Sequence, residues 1–318
     1  MKRVAAVCAL TLGIASCGDG NPFSATTTPD PGTPGGPSTS IPDSIAGDLT
    51  GFSFNPTAGT LTIEGVFLDS DDFAGAYVRT PSLDVPGYVA FTAQDDPLDQ
   101  HVTAYSASID GTGSAVAVTG GQFGTFNGGA SFTRSGGFDA PTVAGDTGLV
   151  SYAGDYVGVT DLPGDGDELL PAPAIADPAQ LPGQAAVVTG DIFINVDFND
   201  NSLKGIITNR ELDLDDALIA SGTTLPVGDI ALDPGTIASD GTFTGNVRLG
   251  GDDQDRGDYA GIFGGTDAQA VAGAIFIADH LVASTNTEEE YGIFVLGRCG
   301  SAVQTSTLCA VVEDFLDD

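Results

Sequence analysis

The feature that most constrains this chain is the spacing of its apolar residues. They fall in short runs that alternate apolar with polar, each cut by Gly, Pro, Asp or Asn. Thr60-Leu61-Thr62-Ile63-Glu64 is one such run. Asp191-Ile192-Phe193-Ile194-Asn195-Val196-Asp197-Phe198 is another, with Ile192, Ile194, Val196 and Phe198 on one face. A period of two belongs to a half-buried strand. No window of about a dozen residues holds a helical period. Gly, 45 of 318 residues, interrupts nearly every such window. The expected fold class is all-β.

Two β-rich regions are expected. In the first, residues 46–147, candidate strands cover 49–54, 60–67, 75–79, 88–92, 101–108, 115–118 and 129–134. In the second, residues 148–299, they cover 151–160, 191–198, 203–209, 229–232, 241–249, 258–264, 269–277 and 291–298. Asn199-Asp200-Asn201-Ser202 reads as a hairpin turn, and 161–184, rich in Pro and Asp, as a long loop. Eight short strands joined mainly by turns suggest an antiparallel barrel, which leaves no open edge.

The first residues read as an export signal. Lys2 and Arg3 precede an apolar run, 4–14, too short to span a bilayer as a helix. Ile14-Ala15-Ser16-Cys17 resembles the bacterial lipobox. The resemblance implies cleavage after residue 16 and diacylglycerol on Cys17. An ordinary signal peptide with a chance cysteine is the competing reading. Residues 17–45 carry Pro22, Pro29, Pro31, Pro34, Pro37 and Pro42 among Thr, Ser and Gly, and form a disordered tether. Such a chain reaches on the order of 30 Å. The acyl chains would be the membrane contact.

An exported chain meets an oxidising compartment. Cys8 leaves with the signal and Cys17 takes lipid, so Cys299 and Cys309 can pair and tie the acidic tail, 300–318, to the last strand. A two-cysteine metal site is the weaker reading, because no histidine lies nearby in sequence. The last residues, 311–318, could form one helical turn.

Charge removes whole classes of partner. Without Lys2 and Arg3 the chain has seven Lys and Arg against 44 Asp and Glu. Nucleic acid is excluded, since phosphate contacts need clustered cations. The acids are spread along the chain, which favours a role in solubility over a surface built for cations or a basic partner.

Chemical motifs are sparse. Two histidines, His101 and His280, fall in different regions, and no nucleophile elbow is present. Ser114 reads as a turn serine. Lys204 lacks the glycine loop of a phosphate site. No catalytic residue is expected, and the chain is read as a non-enzyme. Asp165-Gly166-Asp167-Glu168 and Asp252-Asp253-Gln254-Asp255 could hold calcium, with solvated loops as the alternative. His280, placed where a strand ends, could be an axial haem ligand, with an ordinary loop-edge histidine as the alternative. No cofactor or metal is assigned.

The second region resembles a known family. The pattern runs from Gly190 to Gly205, then Gly241-Thr242-Phe243-Thr244-Gly245, then Asp258-Tyr259-Ala260-Gly261-Ile262-Phe263-Gly264-Gly265, then Ala268-Gln269-Ala270-Val271-Ala272-Gly273-Ala274-Ile275. This order is similar to the C-terminal barrel of transferrin-binding protein B and its relatives, including factor H-binding protein. The resemblance covers residues 148–299. It implies an eight-stranded antiparallel barrel preceded by a smaller β-rich handle, on a lipoprotein of the outer membrane. It also implies that the loops bind a host or environmental protein or an iron-bearing ligand, for delivery to an outer-membrane transporter. Phe243, Gly245, Phe263, Gly264, Gly265 and Gly273 carry the motif, and its glycines are expected to let strands coil and backbones approach. A structural or adhesive envelope lipoprotein is the alternative reading.

Overall fold

The computed structural model describes residues 40–67, 71–142, 149–174, 177, 180–215, 218, 223–280 and 288–310. The export signal, Cys17, most of the tether and the tail after residue 310 lie outside them.

The alternating runs of the first region pair in sequence order. Strands β1 (Leu49–Asn55), β2 (Thr60–Phe67), β3 (Asp71–Arg79), β4 (Val89–Ala93), β5 (Val102–Ile109), β6 (Thr112–Thr119) and β7 (Gly128–Arg134) form one antiparallel meander. Leu61 and Ile63 are both fully buried, as the alternation requires. The β5–β6 hairpin turns on Asp110-Gly111, both at positive φ, the pairing a two-residue hairpin favours. The sheet curls until its first and last strands nearly meet. The Asp48 amide donates to the Gly128 carbonyl at 2.9 Å, and the Gly128 amide to the Asp48 carboxylate at 3.1 Å. Helix α1 (Asp43–Ala46) precedes the sheet and buries Ile45. The expected tether therefore gives way to folded chain by Asp43, because Ile45 has an apolar niche to fill.

The second region closes on itself. Strands β8 (Leu149–Pro163), β9 (Ala185–Asp197), β10 (Ser202–Asp213), β12 (Ile230–Ile237), β13 (Thr242–Leu249), β14 (Asp255–Gly264), β15 (Ala270–Ala278) and β16 (Glu289–Arg298) pair antiparallel in order. The last strand then pairs with the first, Glu290 opposite Thr160 and Arg298 opposite Tyr152. The short strand β11 (Leu225–Pro226) adds to the end of β10. The molecule is thus all-β, a seven-stranded curled handle followed by a closed eight-stranded barrel. The strands overrun the expected ones: β8 reaches Pro163 and β9 begins at Ala185, so the loop is shorter than 161–184.

Three apolar cores follow from strand parity. One fills the barrel with Tyr152, Ile192, Ile194, Val196, Phe243 and Phe263 among others. A second lies inside the curled handle, around Leu61, Ile63 and Phe91. The third joins the two: Tyr88, Tyr105, Val116 and Val118 of the handle meet Ala260, Ala272, Ala274, Ile293 and Val295 on the outer barrel wall. Small side chains on the wall let the sheets approach. The Ser114 hydroxyl, inside β6 and buried, donates to the Gly273 carbonyl at 3.1 Å. Ser114 is therefore not a turn serine; it ties one sheet to the other. Cys299 and Cys309 are disulfide-bonded, holding the segment after β16.

Candidate functional site

Strand direction sorts the connections by end. The β9–β10, β12–β13 and β14–β15 connections are short and lie at one end of the barrel. There Phe138, in the segment between the two sheets, packs on Phe198 and Phe263. The β8–β9, β10–β12, β13–β14 and β15–β16 connections lie at the other end. The handle loops after β4 and β6 are bound to that second end. The Gly183 amide donates to the Gly121 carbonyl at 3.0 Å. The Gln122 side-chain amide donates to the Leu98 and Gln180 carbonyls at 2.6 and 2.7 Å. The Leu170 amide donates to Gln94 at 2.8 Å.

This shared end carries most of the unburied apolar side chains. Nine large ones are exposed among the described residues, and six belong to these loops: Leu98, Phe123, Leu170, Leu181, Leu218 and Leu225. Such clustering marks binding surfaces more than scattered exposure does. Phe123 is 72% exposed and sits at φ 52°, a conformation a bulky residue rarely adopts. The turn from Gln122 to Thr125, closed by reciprocal backbone hydrogen bonds, holds it there.

Beneath these loops the barrel interior turns polar. Tyr156 of β8, Arg210 of β10, Glu290 of β16 and His280, just beyond β15, meet in full burial. The Tyr156 hydroxyl donates to Glu290 Oε1 at 2.5 Å, and Arg210 Nη2 to Glu290 Oε2 at 2.5 Å. His280 Nε2 lies 2.9 Å from Glu290 Oε2 and 3.1 Å from Arg210 Nη2. Arg210 Nη1 donates to the Gly228 carbonyl at 2.7 Å. Burial alone would push the Glu290 carboxyl up; the Arg210 charge, His280 and the Tyr156 hydroxyl outweigh it and hold the group at about 2. Burial, then the Glu290 charge, push the Tyr156 hydroxyl well up.

Local backbone geometry brings these groups inward. On β10, Leu203 and Ile207 point into the barrel, so simple alternation would send Arg210 outside. The register shifts between Thr208 and Glu211, with Asn209 at φ 51°. This bulge flips the parity and re-aims Arg210. Asp279, at φ 54°, turns His280 inward in the same way after Ile275 and Ile277. Asn and Asp are the side chains that tolerate this conformation best. Two glycines vacate the space: a Cβ on Gly158 would strike Glu290, and one on Gly292 the Tyr156 hydroxyl.

The motif residues read from sequence are distributed through the barrel wall. Phe243 and Phe263 are buried side by side in the interior, ring centroids 5.0 Å apart. Gly245 lies against the Tyr259 ring and Gly273 against the Phe294 ring. Gly264 faces Thr112 of the handle, and Gly265, at φ 72°, opens the turn after β14.

The acidic segments are engaged with cations and amides. Asp252 pairs with Arg256 at 3.0 Å, Asp253 with Arg248 at 3.6 Å, and Asp255 accepts from Asn246 at 2.9 Å. Glu168 accepts from the Ser82 hydroxyl at 2.5 Å. Among the described residues no group of three or more His, Cys, Asp or Glu is arranged to hold a metal ion. His280 lies just past the end of β15 and is buried there, with its Nε2 engaged by Glu290 and Arg210. His101 is buried beneath the handle loops, with neither ring nitrogen hydrogen-bonded, and burial lowers it to about 4. Sequence reasoning passed over Tyr156, Arg210 and Glu290. Glu290 shares the parity of Phe294 and Leu296, which was a readable signal; Arg210 does not.

No family model matches the chain, and no curated protein matches it. It is structurally similar, at low identity, to lobes of transferrin-binding protein B. The vaccine antigen of that name from Haemophilus parasuis is 13% identical with a TM-score of 0.39, over 78% of this chain and 44% of that one. The protein from Actinobacillus pleuropneumoniae is 15% identical with a TM-score of 0.33, over 75% of this chain and 92% of that one. The isotype 1 protein from serogroup B Neisseria meningitidis is 14% identical with a TM-score of 0.32, over 77% and 51%. This chain therefore spans less than half of the Haemophilus protein and about half of the Neisseria one.

Proposed function

We propose that this chain is a lipid-anchored, outer-membrane surface protein that binds a macromolecular partner at the end shared by the handle loops and the barrel loops. The observation that carries the reading is the gathering of Leu98, Phe123, Leu170, Leu181, Leu218 and Leu225 at that end. Interfaces centre on large aromatic anchors within a polar rim, and at this end Phe123 stands exposed among leucines that supply apolar contact area. The lipobox-like Ile14-Ala15-Ser16-Cys17 and the proline-rich tether support display away from a lipid surface. The partner is a protein, iron-bearing or not, held by shape and loop contacts with no chemical step.

The test pairs a soluble form lacking residues 1–17 with its Phe123→Asp variant. A partner retained by the first should bind the variant roughly tenfold or more weakly in a titration, as loss of a central anchor does. Equal binding by both proteins, or no partner retained with or without iron, counts against the reading.

A further inference from the structure

The Tyr156–Glu290–Arg210–His280 cluster has a feature that packing does not explain. Replacing a buried ion pair with apolar side chains is often neutral or stabilising, so the fold does not need charge here. Arg210 serves two masters. One arm holds Glu290, and the other holds the Gly228 carbonyl at the root of the β10–β12 connection. The Val227 amide in turn donates to the Arg210 carbonyl at 3.0 Å.

We infer that the cluster is a proton-operated latch: protonation of His280 displaces Arg210 and loosens the root of the β10–β12 connection at the loop-bearing end. A guanidinium only donates and a carboxylate only accepts. His280 Nε2 lies within bonding distance of both, so it satisfies Glu290 only when Nε2 carries the proton. The neutral ring then keeps Nδ1 bare, buried and without a partner. A second proton on Nδ1 makes the ring a cation 3.1 Å from the guanidinium.

The groups facing the ring decide which way it yields. Arg210 stands opposite from β10, Glu290 from β16, and Tyr156 from β8 through its bond to Glu290. Asp161, near the end of β8, acts electrostatically on both His280 and Glu288. Asp279 is the ring's own neighbour in sequence. Glu290 cannot fully offset two cations, while Asp161 attracts the new one. The ring moves toward Asp161, Arg210 is repelled, and the Gly228 carbonyl loses its donor. The inference concerns the protein without a partner, so it stands or falls apart from the binding reading.

The chain has two histidines, which makes the test clean. On the full chain, the His280 ring is followed by histidine NMR, and Val227 amide exchange is measured relative to its intrinsic rate, from about pH 7.5 to about pH 5. The expected result is a His280 titration with a coincident rise in Val227 exchange of roughly tenfold or more. His101→Asn keeps that rise, and His280→Gln, which retains a donor without a titrating charge, abolishes it. A His280 ring that stays in one state, or a rise that persists in His280→Gln, overturns the inference. If His280→Gln does not fold, the native chain decides. Ring and amide midpoints that coincide support the latch; midpoints more than about one pH unit apart overturn it.

Discussion

Gly292 has no side chain because the Tyr156 hydroxyl occupies its place. Gly292→Ala would force the hydroxyl from Glu290 and strain two paired strands. It should lower stability by about 2–4 kcal/mol in a denaturant titration, without changing the secondary structure. His101 makes a second prediction at this scale. Its folded value of about 4 lies below the unfolded value of about 6.5, so below pH 6.5 the unfolded chain binds the proton first. Stability from this residue is full above pH 6.5 and falls by about 3 kcal/mol as the pH drops to about 4. His101→Leu should flatten that part of the stability-against-pH curve. Chemistry at single residues was the least legible part of the sequence. His280 was placed at a strand end, where it lies, but its burial was not read, and Arg210 was missed because Asn209 reverses its facing.

Strands and turns were far more legible. Ile192, Ile194, Val196 and Phe198 were placed on one face by alternation alone; the first three are buried and Phe198 packs partly buried against the same core. The turn at 199–202 and the pairing of β9 with β10 followed from Asn and Asp between two such runs. Strand ends were read short, because Gly and Pro were taken as breaks where a paired neighbour carries the strand through them. β12, for instance, continues past Leu232 through Asp233-Pro234-Gly235 with a register shift. The disulfide belongs to this scale as well. Strand β16 is paired on both sides, by β15 and β8, without help from the Cys299–Cys309 bond. Reduction should therefore lower the melting temperature, through a loss of about 2–3 kcal/mol, and leave the strand signal in circular dichroism unchanged. Loss of that signal on reduction would show that the bond organises the sheet.

At the scale of the whole molecule, handle and barrel share an apolar seam. Ala272 and Ala274 on β15 are buried against the handle, beside the Ser114 bond to Gly273. An ionised side chain there finds no partner and cannot be accommodated by shifting a sheet that is paired on both sides. Ala274→Glu should split one cooperative thermal transition into two in calorimetry, with the barrel melting near its original temperature. A single unchanged transition would mean that the seam contributes little. The seam also fixes which loops lie side by side, and so assembles Leu98 and Phe123 with Leu170 and Leu181.

The amino-acid sequence by itself determined the all-β class and suggested an antiparallel barrel, while the count of eight strands in it came with the resemblance to a known family. It did so because a period of two specifies strand faces locally, and turn residues specify where the chain reverses. Only the tertiary structure decided which groups meet inside the barrel and which loops share an end. The first depends on left-handed residues such as Asn209 and Asp279, which flip side-chain parity at one point, and the second on the seam between handle and barrel. The bulge at Asn209 forms against the adjoining strand β9, and the apolar–polar alternation of β10 does not record it.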